Sequence, residues 1–325
     1  MYTSPPKEKP AAKRRPAAAP LQRIGLLGLG IMGSAMSGNL LKAGFTVAGY
    51  DPSAAARKRL RQAGGRPCAS AAVLAAEVDV VICSLPSGEA LMASAQQLAA
   101  AAPRGLPVVE TSTLDIADKE AARRVLAAAG IVLLDCPLSG TGAQAVRKDL
   151  TVYTSGPAAV IKRLQPVFEG FTKSQFHLGA FGNGMKMKLM ANLLVAIHNV
   201  STAEALLLGQ RWGIRPSDAA RVLADGAGGS RMLQVRGPFM EERGWEAATM
   251  KVSVWQKDMK LIGAALREMG VPAPLFAATV PIYDAAMGMG HAEHDTAAVF
   301  DVLDRMSTPA APAAAAKKER RRRAA

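Results

Sequence analysis

Ile24-Gly25-Leu26-Leu27-Gly28-Leu29-Gly30-Ile31-Met32-Gly33 is an apolar run that passes into a glycine-rich turn and then into helix-forming sequence. Gly28, Gly30 and Gly33 keep the G-x-G-x-x-G spacing. The first glycine permits a tight turn, the second lets backbone approach a pyrophosphate, and the third lets helix and strand pack closely. A phosphate placed there meets the free N–H groups and positive end of the helix. The helix expected over 34–43 stops at Gly44, a C′ residue. The next apolar run, 45–50, ends on Asp51. An acid about twenty residues beyond the glycines completes the unit that holds a dinucleotide. Cofactor contacts are therefore assigned to Gly28, Leu29, Gly30, Ile31, Met32, Gly33 and Asp51.

Outward from this unit, short apolar runs alternate with alanine-rich helical stretches. Strands are predicted over 78–85 (ended by Pro86), 107–111 and 131–135. Helices are predicted over 53–63, 88–100 and 117–129. Such alternation predicts an α/β fold, a doubly wound parallel sheet of the Rossmann kind. Ligands of these sheets bind at the carboxyl ends of strands, which singles out Leu85-Pro86, Ser112-Thr113 and Ser139-Gly140-Thr141 as well. From Met185 to about position 212 no proline interrupts the pattern. This predicts one helix of roughly 28 residues, about 40 Å long. Later segments, 216–223, 249–269, 274–287 and 296–306, all read as helix. The expected organisation is a dinucleotide-binding domain over 21–182, a long helix between domains, and an all-α domain over 183–306 for substrate and self-association.

Composition bounds the function. The chain has 325 residues, half of them apolar, enough for two domains with real cores. No apolar run is expected to reach the length needed to cross a membrane, and the N-terminus lacks the apolar stretch of a secretory signal. Cys68, Cys83 and Cys136 are far apart, with no C-x-x-C. This argues against a disulfide framework or zinc site and fits the reducing cytoplasm. The formal charge is +14, of which residues 1–20 supply +4 and residues 307–325 supply +5. Both tails are Ala/Pro/Lys/Arg low complexity and are expected to be disordered. They read as solubilising tails first; contact with nucleic acid or an anionic surface is the rival reading, of a dehydrogenase-like binding protein.

For proton transfer the candidate is Lys188, early in the long helix after Gly182-Asn183-Gly184. Asn192 lies four residues on and shares its face. Together they can hold an alcohol oxygen and a carboxylate, although Lys186 is an equal neighbour by spacing. His291-Ala292-Glu293-His294-Asp295 has metal-like spacing but lies beside Gly288 and Gly290 and is read as a loop without metal. His198, Met185, Met187, Met190, Trp245 and Trp255 read as packing residues. Residues 225–230 read as a loop at the cleft.

These motifs resemble the β-hydroxyacid dehydrogenase family, which includes 3-hydroxyisobutyrate dehydrogenase and tartronate semialdehyde reductase. The resemblance spans about residues 23–306. It rests on the glycine loop with Asn39-Leu40 and Gly44, on Asp135-Cys136-Pro137-Leu138-Ser139-Gly140, on residues 182–188 followed by Asn192, and on Lys257-Asp258. The resemblance implies a hydride-transferring oxidoreductase acting on a small β-hydroxy acid or short sugar acid. Lys188 would be general acid and base, and Asn192 would hold substrate and orient the lysine. Ser139, Gly140 and Thr141 would bind the substrate carboxylate. Leu85, Pro86 and Thr113 would line the cofactor, and Lys257 would lie over the site. A homodimer or homotetramer, no metal and no membrane partner are expected. Imine reductases share the architecture but typically lack the lysine. The chain departs from the family at Thr141, Gln144 and Lys148, where glycine is usual, and at Ala191, where asparagine often stands.

Asp51 favours NAD over NADP. Its carboxylate can accept from the ribose hydroxyls and would repel a 2′-phosphate by ~4 kcal/mol per unit charge at about 4 Å and an effective dielectric near 20. Arg57 and Arg59 follow one to two turns into the next helix and keep NADP open.

Overall fold

The computed structural model describes residues 21–307; the two basic tails and their expected disorder lie outside the described residues. Six strands, β1 (Arg23–Leu27), β2 (Thr46–Tyr50), β3 (Arg66–Pro67), β4 (Val80–Cys83), β5 (Pro107–Glu110) and β6 (Val132–Asp135), form one sheet. They pair in parallel in the order β3-β2-β1-β4-β5-β6. Parallel neighbours need crossovers, supplied here by α1 (Ile31–Lys42), α2 (Ala54–Gln62), α3 (Ala71–Ala75), α4 (Gly88–Ala101) and α5 (Ile116–Ala128). Alternate strand residues serve opposite faces. Ile24 and Leu26 pack with Met36 and Leu40 of α1, whereas Leu27, Val81 and Val108 pack with Leu91, Leu98 and Leu126 of α4 and α5. The strand order reverses between β1 and β4, so the ligand crevice opens at their carboxyl ends.

Local sequence explains the helix starts. Ser53, Ser70, Ser87 and Asp115 each accept a first-turn N–H of the helix they precede, which satisfies one of its orphan donors. Gly44 has φ +90° at the end of α1, as a C′ residue requires.

One layer was not legible in the sequence. After β6 the chain forms a second, three-stranded sheet from β7 (Leu138–Ser139), β8 (Thr151–Thr154) and β9 (Ser174–His177), ordered β7-β8-β9. The short helices α6 (Gly142–Val146), α7 (Ala158–Arg163) and α8 (Gln165–Phe171) connect it. Strands this short carry too few residues to show a period.

The rest is helical: α9 (Asn183–Arg211), α10 (Pro216–Asp225), α11 (Arg231–Glu242), α12 (Val252–Glu268), α13 (Pro274–Gly288), a single 3-10 turn Thr296–Ala298 and α14 (Val299–Met306). The expected long helix is α9, with 29 residues, and all five later helices pack on it. Contrary to the reading that no apolar run is long enough to span a membrane, α9 passes that test by length and composition. Its Ala196, Ala203 and Leu206 nonetheless face the core of the helical region.

Candidate active site

The glycine loop follows β1 into the crevice. Gly28 has φ +87°, and a Cβ there would lie 2.0 Å from the Ser84 carbonyl oxygen. A Cβ on Gly33 would lie 2.0 Å from the Gly28 carbonyl oxygen. These two glycines are demanded by the protein's own backbone. Gly30 is different: a Cβ there would meet nothing within 4 Å. Gly30 is also the N-cap of α1, with no side-chain cap and no acid in the first turn. The helix thus offers uncapped N–H groups to open space, the arrangement that receives a pyrophosphate. Met32 is half-buried, and Ile31 stands exposed at the mouth.

Asp51 ends β2 beside this loop. Its Oδ2 accepts the Leu29 N–H at 2.8 Å and its Oδ1 accepts the Ser53 N–H at 2.8 Å. The carboxylate is held rigidly, with lone pairs left for ribose hydroxyls. Arg57 donates to the carbonyl oxygens of Asp51 and Pro52, whereas Arg59 is exposed. Across the crevice, Leu85 and the exposed Pro86 follow β4, and Ser112 and half-buried Thr113 follow β5. The two loops are tied together by the Leu85 N–H, which donates to Ser112 Oγ at 2.7 Å.

The first turns of α9 separate the two candidate lysines. Lys186 is exposed; Lys188 is only 8% exposed. Among the described residues Lys188 has no hydrogen-bond or ion-pair partner. Burial pushes its pKa below the usual lysine value; the Asp258 carboxylate opposes that shift and the Lys257 ammonium adds to it. Asn192, one turn on, donates from Nδ2 to Asp258 Oδ2 at 2.8 Å. Burial raises the Asp258 pKa, and the two lysines and Asn192 pull it back. Asp258 therefore joins Lys188, Asn192 and half-buried Lys257 in one polar cluster between α9 and α12. In the sequence Asp258 stands out only as the neighbour of Lys257, and nothing local shows that it meets Asn192.

Ser139 lies on β7, with Gly140 next at φ +132°. Thr141 is the N-cap of α6 and forms a capping box with Gln144. The Thr141 N–H donates to Gln144 Oε1 at 3.0 Å, and the Thr141 hydroxyl is engaged with the same residue. Its hydroxyl and N–H are thus occupied within the loop. Gln144 Nε2 donates in turn to Asp149 Oδ2 at 3.1 Å, and Asp149 pairs with Arg231 at the start of α11. Lys148 has φ +61°, a left-handed conformation that costs a side-chain-bearing residue about 1–3 kcal/mol. Three of the four departures from the family pattern thus belong to one short connection.

The remaining polar segments are paired within the helical region. His291 contacts His294 at 2.8 Å and Asp301 at 3.0 Å. Asp295 takes Arg236 at 2.9 Å together with the N–H groups of Thr249, Met250 and Ala297. Cys68, Cys83 and Cys136 are free thiols, all buried. His198 is half-buried, and Trp245 and Trp255 lie in the helical core. Ser230, at the end of the 225–230 loop, caps α11.

Comparison with known proteins gives the family and the fold. Residues 23–204 match the NAD-binding domain of 6-phosphogluconate dehydrogenase, and residues 182–303 match the NAD-binding domain of NADP-dependent 3-hydroxyisobutyrate dehydrogenase. An L-threonate dehydrogenase of Cupriavidus necator is 34% identical over 292 residues, covering 89% of this chain and 98% of that protein. A solved structure, Mycobacterium tuberculosis 3-hydroxyisobutyrate dehydrogenase with L-serine, superposes with a TM-score of 0.79 at 29% identity, covering 87% of this chain and 99% of that one. An imine reductase from Pseudomonas sp., at 18% identity and a TM-score of 0.55, shares the fold alone. The chain belongs to the β-hydroxyacid dehydrogenase family and is an NAD(P)-dependent oxidoreductase acting on a CH–OH group.

Proposed function

We propose that this enzyme interconverts a small β-hydroxy acid and its carbonyl form, with NAD preferred and Lys188 moving the proton. One observation carries the reading: Lys188 is a buried lysine without a partner among the described residues. Burying a cation unpaired is costly, and a depressed pKa is what a proton-transferring lysine needs near neutral pH. The bound cofactor supplies hydride transfer at the carbinol carbon. In oxidation, neutral Lys188 takes the hydroxyl proton at Nζ; in reduction its ammonium returns it. Asp258 holds the Asn192 amide in place, leaving Asn192 Oδ1 to orient the lysine or the substrate. Lys257 adds positive charge that attracts a carboxylate. Ser139 and Gly140 carry the carboxylate contact, while Thr141, occupied by Gln144, narrows the pocket. L-threonate, 3-hydroxyisobutyrate and L-serine, named for the relatives, each join a carboxylate to a β-hydroxyl and define the class expected here.

The cofactor preference is supported by Asp51, whose fixed carboxylate disfavours a 2′-phosphate. Self-association into a homodimer or homotetramer is supported by Met190, Leu194 and Leu208, which stand exposed on α9, and by Trp212 at its C-cap. Buried free thiols suit the cytoplasm. The test is absorbance at 340 nm with NAD and NADP against 3-hydroxyisobutyrate, L-threonate, L-serine, glycerate and 3-hydroxypropionate, with glyoxylate and succinic semialdehyde in reverse. Lys188→Ala is expected to lower kcat by about a hundredfold or more, within the range for general acid–base catalysis, with NAD binding intact. Near-normal turnover in that variant would sink the assignment.

A further inference from the structure

Beneath the crevice lies a charged cluster that the chemistry above does not use. Lys119 of α5 is 0% exposed. Its Nζ lies 2.6 Å from Glu110 Oε2, at the end of β5, and 2.8 Å from Asp135 Oδ1, at the end of β6. Burial alone would lower the Lys119 pKa, but the two carboxylates outweigh it and hold it above the usual lysine value. The cluster therefore contains a true ammonium between two carboxyl groups.

Both carboxylates reach onward. Glu110 Oε1 accepts the Ser112 N–H at 2.8 Å, and Ser112 Oγ accepts the Leu85 N–H at 2.7 Å. On the other side, Asp135 Oδ2 accepts the Met185 N–H at 2.8 Å and the Ser155 hydroxyl at 3.1 Å. Ser155 Oγ accepts the Gly184 N–H at 3.0 Å. Gly182, the N-cap of α9, offers no side-chain cap. The first turn of α9 is thus capped from the sheet by Asp135 and Ser155. The fit leaves no slack: a Cβ on Gly184 would lie 2.5 Å from the Tyr153 carbonyl oxygen and 2.7 Å from that of Asp135. Lys188 follows Met185 by three residues, one helical turn.

We propose that Lys119 is a positioning residue: through Glu110 and Asp135 it locks the Leu85 and Ser112 loops to the first turn of α9, and so fixes Lys188 relative to the nicotinamide. This rests on the function proposed above. One unbroken series of polar contacts joins the loops that line the cofactor to the helix that carries the proton-transferring lysine. The formal excess of one negative charge lies against the N-terminal end of a 29-residue helix, whose dipole favours an anion there. Both ends of this series are held from the same ammonium.

The test compares Lys119→Met, Asp135→Asn and Ser155→Ala in the full chain with Asp295→Asn, a buried ion-pair change in the helical region. Each variant is measured for thermal midpoint, NADH binding by fluorescence and turnover with the compound the panel identifies. The primary deuterium isotope effect with NADH labelled at the transferred position is measured as well. Amide hydrogen exchange is followed at Leu85, Gly184 and Met185. For Lys119→Met and Asp135→Asn a fall in kcat of roughly ten- to a hundredfold is expected, the size a small misplacement produces. The isotope effect should rise, and NADH binding should stay within about twofold, because the pyrophosphate contacts are untouched. Exchange should quicken at Leu85 as well as at Gly184 and Met185. Asp295→Asn should lower the midpoint and leave the isotope effect alone. Wild-type kcat and isotope effect in folded variants, or faster exchange only beside the mutated residue, would overturn the proposal. If Lys119→Met does not fold, Asp135→Asn and Ser155→Ala decide by the same readouts. If Lys188→Ala proves fully active, the proposed function fails by itself, and the exchange pattern still decides whether the network couples its two ends.

Discussion

In the proposed function, Lys188 and Asp258 set the chemistry at the scale of single residues. Spacing could not choose between Lys186 and Lys188, because both follow the same glycines; burial chooses Lys188. Its pKa is lowered by desolvation, raised by Asp258 and lowered by Lys257, and these signs can be tested. In the oxidative direction Lys188 must be neutral, so kcat/KM should rise with pH through an ionisation below the ordinary lysine value of 10.5. Asp258→Asn removes the stabilising anion and should shift that limb to lower pH. Lys257→Met removes a repelling cation and should shift it to higher pH. A pH–rate profile of the two variants that moved in one direction, or not at all, would count against Lys188 as the titrating base.

At the scale of elements, the glycine loop and the start of α9 solve different problems. Gly33 and Gly28 are required by backbone contact inside the protein, whereas Gly30 borders open space. Gly30→Ala is therefore expected to keep the wild-type melting temperature while weakening NADH binding by roughly tenfold or more, since only the phosphate approach is obstructed. Gly33→Ala is expected to lose both stability and binding. Calorimetric titration with thermal melts separates the two, and equal losses of stability would refute the distinction. The glycine pattern is written in adjacent residues and was readable in the sequence. The capping of α9 was not, because Asp135 and Ser155 lie 50 and 29 residues from the N–H groups they accept.

For the whole molecule, the parallel sheet and the helical region meet along α9, and part of that helix remains uncovered. Met190, Leu194 and Leu208 are exposed on it and Trp212 at its C-cap, with Val254 on α12 and Leu275 on α13. Exposed apolar side chains of this size are candidates for an interaction surface. Light scattering on the eluting full chain is expected to give two or four times the monomer mass, and the double change Leu194→Glu with Trp212→Glu should reduce it. A monomeric wild type would remove the support these side chains give to self-association. Five of the six parallel strands were legible between residues 24 and 135, whereas the two-residue β3 (Arg66–Pro67) and the five-residue α3 (Ala71–Ala75) were not. The three-stranded sheet beyond them was not legible either, since β7 has two residues and β8 and β9 four each.

The sequence by itself determined the cofactor class, the doubly wound sheet, the long helix and the short set of residues from which the chemistry is drawn. Each is encoded locally, in a glycine spacing, in apolar runs that alternate with helix-forming stretches, or in a long stretch without proline. Only the tertiary structure decided which lysine is buried and that Asp258 holds Asn192 from 66 positions away. It alone brought Lys119, Glu110 and Asp135 together out of contact with water. Desolvation and charge pairing depend on neighbours that the folded chain brings near, and no window of contiguous residues contains them.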